Sequence, residues 1–498
     1  MDKPNQRTND RLPSSRGAGG GCVIIGSGLG GLECARILAS QGRRVIVLER
    51  EQQPGGCMQS YRRGKYAFDT GMHYVGGLAK GQPLYNAFKE LNLLHLPWVH
   101  LDAKGFDRVT IAGQTFRLAE GYENFINTLA GEFPSEREAL HRYVEILKKS
   151  ESRDAATTKQ LMETNAWDWL NSNFTDKLLL NVISGASMKL ELRKESLPLF
   201  TFLHCNNSYI QSSWRLRGDG NQIAHSLIND IQEMGGEVVC NAEVEELIEQ
   251  DGQITEAVCK DGRRIKGDTF ISDVHPAVTL SWVKDSQKIR HIYRRRMSML
   301  ENTFGMFTVS LVLKPHTISY FNHNDYIYRE ANVWDFYEKK GPVGGEMLSC
   351  RVPENALLSA DGEILDKELY AEQIDILTPM LWNEVSQWKD TTVGRRSEAY
   401  KAMKQQRAKE CIALAETVIP GLSDAIDKVY TSTPLTYRDY TLTPNGSAFG
   451  IRKDSGNSLM TQLSVHTPVP NLLLTGQSPI LHGLEGVTMT AMETANNL

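Results

Sequence analysis

An α/β fold built around a parallel sheet is predicted for this 498-residue chain by three observations. Near the N-terminus an apolar run ends in a glycine turn that opens a helix. In the middle a helix is followed by several strand-like runs. At the C-terminus a short apolar run again ends in glycine ahead of a closing helix. The first of these is the most explicit. Cys22 to Ile25 is wholly apolar, the composition of a strand buried on both faces. Gly26, Gly28 and Gly31 complete the G-x-G-x-x-G pattern at its end, with Ser27, Leu29 and Gly30 between them. The first glycine permits the tight turn, the second admits a pyrophosphate to the backbone, and the third lets the next helix pack closely. That helix, expected over residues 32–40, aims its positive end at the pyrophosphate. Gly42 ends it, and residues 45–48 form the second strand. Glu49 follows at the spacing where a carboxylate accepts both ribose hydroxyls of an adenosine. Strand, turn, helix and acid together distinguish a dinucleotide site from a merely tight turn, and the domain is Rossmann-like.

The next segment decides which dinucleotide. Glu49 disfavours NADP, whose extra phosphate would meet a negative charge. After Glu49 and Arg50 comes Pro54-Gly55-Gly56, a second close-approach loop, then Ser60 and the Asp69-Thr70-Gly71 turn. A simple NAD domain has no use for a second phosphate-contacting loop directly after its acid. An FAD held extended across the domain does, so FAD is the expected cofactor.

The same segment resembles the flavoprotein superfamily of carotenoid desaturases, carotenoid isomerases, retinol saturases and amine oxidases. The first three share a PGG loop followed by an FDTG(I/M)HY-like stretch, matched here by Phe68-Asp69-Thr70-Gly71-Met72-His73-Tyr74. Amine oxidases usually carry arginine after the glycine pair, where this chain has Cys57. The resemblance implies a FAD domain assembled from discontinuous pieces, 21–95, 212–282 and 456–498, with an α+β substrate domain formed by 96–211 and 283–455.

The remaining pieces fit that division. A glycine turn at residues 214–220 opens a helix expected over 221–234, with Ile223, Leu227, Ile228 and Ile231 at helical spacing. Strands follow at 237–240, 242–249, 254–259, 264–267 and 268–272. The Asp251-Gly252 and Asp261-Gly262 turns between them predict a small antiparallel meander. The resemblance places the adenine against the backbone of Val244. At the C-terminus the run 471–477 ends in Gly476-Gln477, where relatives commonly carry an acid and glutamine can still bond a phosphate or ribityl hydroxyl. A helix starting near Gly486-Val487 would aim its N-terminus at the flavin pyrimidine edge. In the two insertions, residues 305–314 form a strand expected to wall the pocket. Leu199, Phe200, Phe202, Leu203 and Trp214 either line an apolar cavity or pack in the core.

Composition excludes several classes. With 41% apolar residues, a formal charge of -5 and a pI near 6.2, nothing recruits nucleic acid. The eight cysteines are scattered without a CxxC pair, so neither a disulfide framework nor a metal site is expected. Residues 1–20 read as a polar disordered tail, and no apolar run is long enough to cross a bilayer. A cytoplasmic location is the expectation, with peripheral membrane association open. The run Arg290-His291-Ile292-Tyr293-Arg294-Arg295-Arg296 is either a solvated helix face or a rest against anionic lipid.

Flavin chemistry asks the protein for orientation, a dry cavity and a proton donor. His73, Tyr74 and His482 are the candidate catalytic side chains. The expected activity is that of a FAD-dependent oxidoreductase on carbon–carbon bonds of a lipophilic polyene or isoprenoid, in the saturase or desaturase direction. A net non-redox polyene isomerase, a flavin amine oxidase, and a flavin-binding protein without turnover are the alternatives. The electron partner is open, since no second nucleotide fingerprint is present.

Overall fold

The computed structural model describes residues 21–152, 154–366 and 368–498. The tail expected over 1–20 lies outside them. Five parallel strands form the central sheet, in the order Glu237–Val239, Val45–Leu48, Cys22–Ile25, Thr269–Ser272 and Leu472–Leu474. Strands far apart in sequence thus lie side by side, which is how the separated pieces recognised in the sequence become one layer. The alternation along Cys22–Ile25 shows why every residue is apolar. Cys22 and Ile24 face a core shared with the helices Leu29–Ser40 and Asn221–Glu233, while Val23 and Ile25 face a second core on the opposite side. The second core is covered by the meander Val244–Gln250, Gln253–Cys259 and Arg264–Lys266. Asp251, Gly252 and Gly262 take positive φ at its turns, as the two DG pairs predict.

Two helices start earlier than the sequence pattern suggests. The fingerprint helix runs Leu29–Ser40, not from residue 32, and the closing helix runs Gly483–Asn496, not from 486. In both, glycines fill the first turn, and each costs roughly 1 kcal/mol of helix propensity relative to alanine. Close backbone approach overrides that cost at Gly31, where a Cβ would sit 2.2 Å from the Gly26 carbonyl oxygen.

A seven-stranded sheet forms the second layer, ordered Ile426–Ser432, Gly305–Leu313, Gln373–Met380, Gly345–Cys350, Asn324–Tyr328, Asp107–Ile111 and Gln114–Leu118. Its neighbours are antiparallel except Asn324–Tyr328 with Asp107–Ile111, whose parallel pairing brings the two inserted segments into one sheet. Helices drawn from residues 122–211 cover the Asp107 side. Residues 283–300, assigned by sequence to the second domain, pack Val283, Ile289 and Met297 into the core behind the parallel sheet. Leu199, Phe200, Phe202 and Leu203 are core residues, and Trp214 stacks on His100.

Candidate active site

One cavity runs from the glycine turn to the seven-stranded sheet, enclosing about 2040 Å³ including its solvent-open mouth. Of the cofactor residues expected from sequence, Gly26, Ser27, Gly28, Leu29, Gly30, Glu49, Arg50, Gly56, Val244, Gly476, Gln477 and Val487 line it, as do His73, Tyr74 and His482. Gly31, Gly55, Ser60 and Gly486 do not. Gly31 packs the helix on the turn. Gly55 donates its N–H to the carbonyl and hydroxyl of Ser27, supporting the loop from behind. Ser60 accepts from the Asn221 amide. Gly486 lies against Leu481, where a Cβ would come within 2.7 Å.

The glycine positions make a cradle that side chains would fill. A Cβ on Gly30 would stand 2.7 Å from the Gly476 nitrogen, and one on Gly56 would stand 2.8 Å from the Gly28 Cα. Backbone from three separate segments is therefore packed at close range at this end of the cavity, which Gly28, Gly30, Gly56 and Gly476 all line. Gly28 supplies no side-chain cap to the helix Leu29–Ser40 and no acid stands in its first turn; the Asp273 carboxyl accepts the Gly31 N–H, so only part of the N-terminal dipole is left for an anion. The closing helix also has no side-chain cap, although Glu485 stands in its first turn, and His482, Gly483 and Leu484 at its start line the same cavity. Glu49 is held in place by the N–H and hydroxyl of Ser27 and by the Glu51 N–H. The FDTG turn is fixed in the same way: the Asp69 carboxylate accepts the Gly220 N–H at 2.7 Å, tying it to the turn before helix Asn221–Glu233.

Asp273, at the end of strand Thr269–Ser272, was not singled out by the sequence. Its carboxyl wedges beneath the cradle, so that a Cβ on Gly28 would meet Oδ2 at 2.3 Å and one on Gly476 would meet Oδ1 at 2.2 Å. Burial pushes its pKa up to about 7, against a hydrogen bond from the Gly31 backbone. The signal that could have found it is an acid ending the strand beside the fingerprint strand. Lys453 is another such residue. Its Nζ donates to the carbonyls of Ser478, Pro479 and Thr461, anchoring the loop between Gln477 and His482.

Toward the seven-stranded sheet the lining turns apolar and aromatic, with Met188, Tyr209, Met306, Met347, Leu377, Tyr437 and Phe449. One cation stands among them. Lys189 Nζ donates to the Tyr74 hydroxyl at 3.0 Å and sits 3.5 Å from the Tyr209 ring centroid. The Tyr74 hydroxyl in turn donates to Asp107 Oδ2 at 2.9 Å and lies 2.8 Å from that of Tyr326. Asn324 donates to the other Asp107 oxygen, and Arg215 donates to Asn324. Sequence reasoning missed Lys189 because it lies in a short 3-10 turn, Met188–Leu190, that belongs to no periodic pattern.

The two candidate histidines are neutral at physiological pH. Burial, reinforced by Arg215 and Lys189, lowers His73 to about 4. Burial with Lys189 and Lys453 lowers His482 to about 3. Neither holds an imidazolium proton to donate near pH 7. Tyr74 is pushed well above its ordinary range, by burial first and then by Asp107, and stays protonated.

A backbone cradle for a dinucleotide, opening without a break into an apolar chamber, is the arrangement of a flavoprotein oxidoreductase. The chain belongs to the flavin containing amine oxidoreductase family, whose model matches residues 29–498. A flavin is therefore its cofactor, and the protein is an enzyme of the oxidoreductase class. It is similar to the all-trans-retinol 13,14-reductase of Danio rerio, at 25% identity over 515 residues that cover 94% of this chain and 84% of that protein. The prolycopene isomerase of Arabidopsis thaliana is 24% identical over 502 residues, covering 92% and 78%. Among solved structures, an oxidoreductase from Methanosarcina mazei shares the fold with a TM-score of 0.64 at 15% identity, covering 95% of this chain and 99% of that one.

Proposed function

We propose that the protein binds FAD along this cavity and acts on a carbon–carbon double bond of a lipophilic polyene, in the saturase direction. The observation that carries the reading is the continuity of the glycine cradle with a chamber lined by Met188, Met306, Met347, Leu377 and Phe449. The residues fit FAD in particular. Glu49 would hold the adenosine ribose, Ala242 to Val244 would wall the adenine, and the starts of helices Leu29–Ser40 and Gly483–Asn496 would face the pyrophosphate and the flavin pyrimidine edge. Bound in its reduced form, FAD supplies a hydride equivalent. The protein orients the polyene on its methionine and aromatic walls, excludes water, and holds a proton at Lys189 Nζ and the Tyr74 hydroxyl. The similarity to a retinol 13,14-reductase over most of both chains favours a polyene alcohol as substrate.

The likeness to a prolycopene isomerase supports a second reading, net isomerisation without consumption of reductant. Mass spectrometry of the product separates the two. FAD-loaded protein incubated with all-trans-retinol and dithionite is expected to yield a product two hydrogen atoms heavier. A product of unchanged mass and altered double-bond geometry favours the isomerase. Oxygen-dependent peroxide release with an amine, and no change in retinol, overturns both.

A water-insoluble substrate also suits the surface near residue 290. Ile292, Met299, Leu459 and Met460 are 75%, 67%, 77% and 43% exposed. Arg296 donates to the carbonyls of Leu459 and Met460, drawing the two short helices together, while Arg294 bonds inward to Leu280 and Val283. Arg290 and Arg295 remain exposed beside the apolar side chains. We propose that this face rests on an anionic membrane. The protein should float with phosphatidylserine-containing vesicles and not with neutral ones, and Ile292→Ser/Leu459→Ser should abolish flotation. Equal flotation of that double variant would overturn the assignment.

A further inference from the structure

Lys189 is the one lysine lining the cavity among the described residues, and its surroundings are specific. A lysine facing an apolar chamber is costly unless its charge is used or paired. Among the described residues no carboxylate forms an ion pair with it directly. The Tyr209 ring receives the ammonium on its face, and the Tyr74 hydroxyl bridges it to Asp107. The remaining titratable neighbours, His73, His482 and Cys205, are neutral near pH 7, since burial lowers the first two and raises the third.

Resting on the reading of the cavity as a flavin and polyene site, we propose that Lys189 Nζ is the proton donor that completes saturation of the substrate double bond. The step balances as follows. One Nζ–H bond breaks and a C–H bond forms from the π pair of the substrate. The adjacent carbon takes the hydride equivalent provided by the reduced flavin. Two electrons thus pass from flavin to substrate, and the amine left neutral regains its proton from water once product has left, while Tyr74 and Asp107 hold the ammonium in place. Asp107 balances that ammonium: burial raises it to about 6, partly offset by Lys189 and by bonds from Asn324 and Tyr74, so near pH 7 it is mainly the carboxylate. Burial also lowers Lys189, against the pull of Cys205 and Asp107, easing release of its proton. The two histidines could not serve as cationic donors, as both are already neutral.

Two measurements test this, one of them without flavin. Flavin-free protein is incubated with a conjugated polyene aldehyde, treated with borohydride, and digested for mass spectrometry. The expected result is a reduced Schiff-base adduct on Lys189. An adduct confined to other lysines, with Lys189 unmodified, overturns the proposal. In FAD-loaded protein, Lys189→Met should lower kcat for polyene reduction by about 10²–10⁴-fold with KM nearly unchanged. Lys189→Arg should leave flavin absorbance intact but lower kcat nearly as far as Lys189→Met, since a guanidinium keeps its proton; wild-type kcat in Lys189→Arg would overturn the donor role. A Lys189→Met enzyme with wild-type kcat and pH profile overturns the proposal even though the cavity reading survives. If the wild-type protein neither forms an adduct nor reduces any polyene, the cavity reading itself fails, and this inference with it.

Discussion

Gly30→Ala should yield a folded protein that retains almost no flavin. The helix Leu29–Ser40 would by itself gain from alanine, by roughly 1 kcal/mol. Against that gain, the new Cβ would meet the Gly476 nitrogen at 2.7 Å and the Gly476 Cα at 2.9 Å, both backbone atoms that cannot rotate away. It would also stand 2.9 Å from Asp273 Oδ1. Relief requires separating the helix from the loop after strand Leu472–Leu474, which opens the cradle. FAD affinity should fall by at least about 100-fold, equivalent to about 2.7 kcal/mol. Gly131→Ala is the matched control. It lies in helix Tyr122–Glu132 with nothing within 4 Å of the new Cβ, and should raise the melting temperature with full flavin content. FAD titration of the three proteins and their thermal melts provide the comparison. Undiminished affinity in Gly30→Ala would mean that the three segments do not form one phosphate cradle.

Asp273→Asn should stabilise the flavin-free protein at pH 8, with the advantage shrinking steadily toward pH 5. The carboxyl is raised from an ordinary 3.8 to about 7 by burial beneath the glycine turn. A raised carboxyl favours the folded state while protonated. Its contribution is complete below the unfolded pKa and is lost as pH climbs through about 7. At pH 8 the buried charge therefore costs on the order of a few kcal/mol, which the neutral amide removes while still accepting the Gly31 N–H. Melting curves of the two proteins from pH 5 to 8 should diverge upward with pH. The same charge lies beneath the expected pyrophosphate site, so wild-type FAD affinity should weaken above pH 7 and that of Asp273→Asn should not. Parallel melting curves across the range would contradict the burial argument.

The parts of the molecule legible in the sequence are those governed by short-range rules. Cys22 to Ile25 needs apolar residues on both faces, and the turn after it needs glycine, so strand, turn and helix are visible without any distant partner. The meander is visible for the same reason, since Asp251-Gly252 and Asp261-Gly262 are local turn chemistry. The helix starts at Leu29 and Gly483 are less legible because tertiary contact overrides the poor propensity of their glycines. The seven-stranded sheet is harder still. Asp107 pairs with Asn324 across 217 positions, and no local pattern specifies a parallel pairing at that separation. The chemistry-bearing cluster inherits this difficulty. Tyr74, Asp107, Lys189, Tyr209 and Tyr326 come from five separate elements, and only Tyr74, attached to the FDTG stretch, carried a signal. His73 and His482 do face the cavity, but burial and neighbouring cations keep both imidazoles neutral. The lysine that faces the cavity, Lys189, is one that sequence alone does not mark.

The most direct test of the central claim is an anaerobic stoichiometry. FAD-loaded protein is photoreduced, freed of excess reductant, and mixed with all-trans-retinol while the flavin spectrum and the product are followed together. A cavity that joins cofactor and polyene predicts that the flavin reoxidises fully, with one equivalent of dihydro product formed per flavin. A flavin that stays reduced in the presence of excess polyene, with no product formed, would contradict the account.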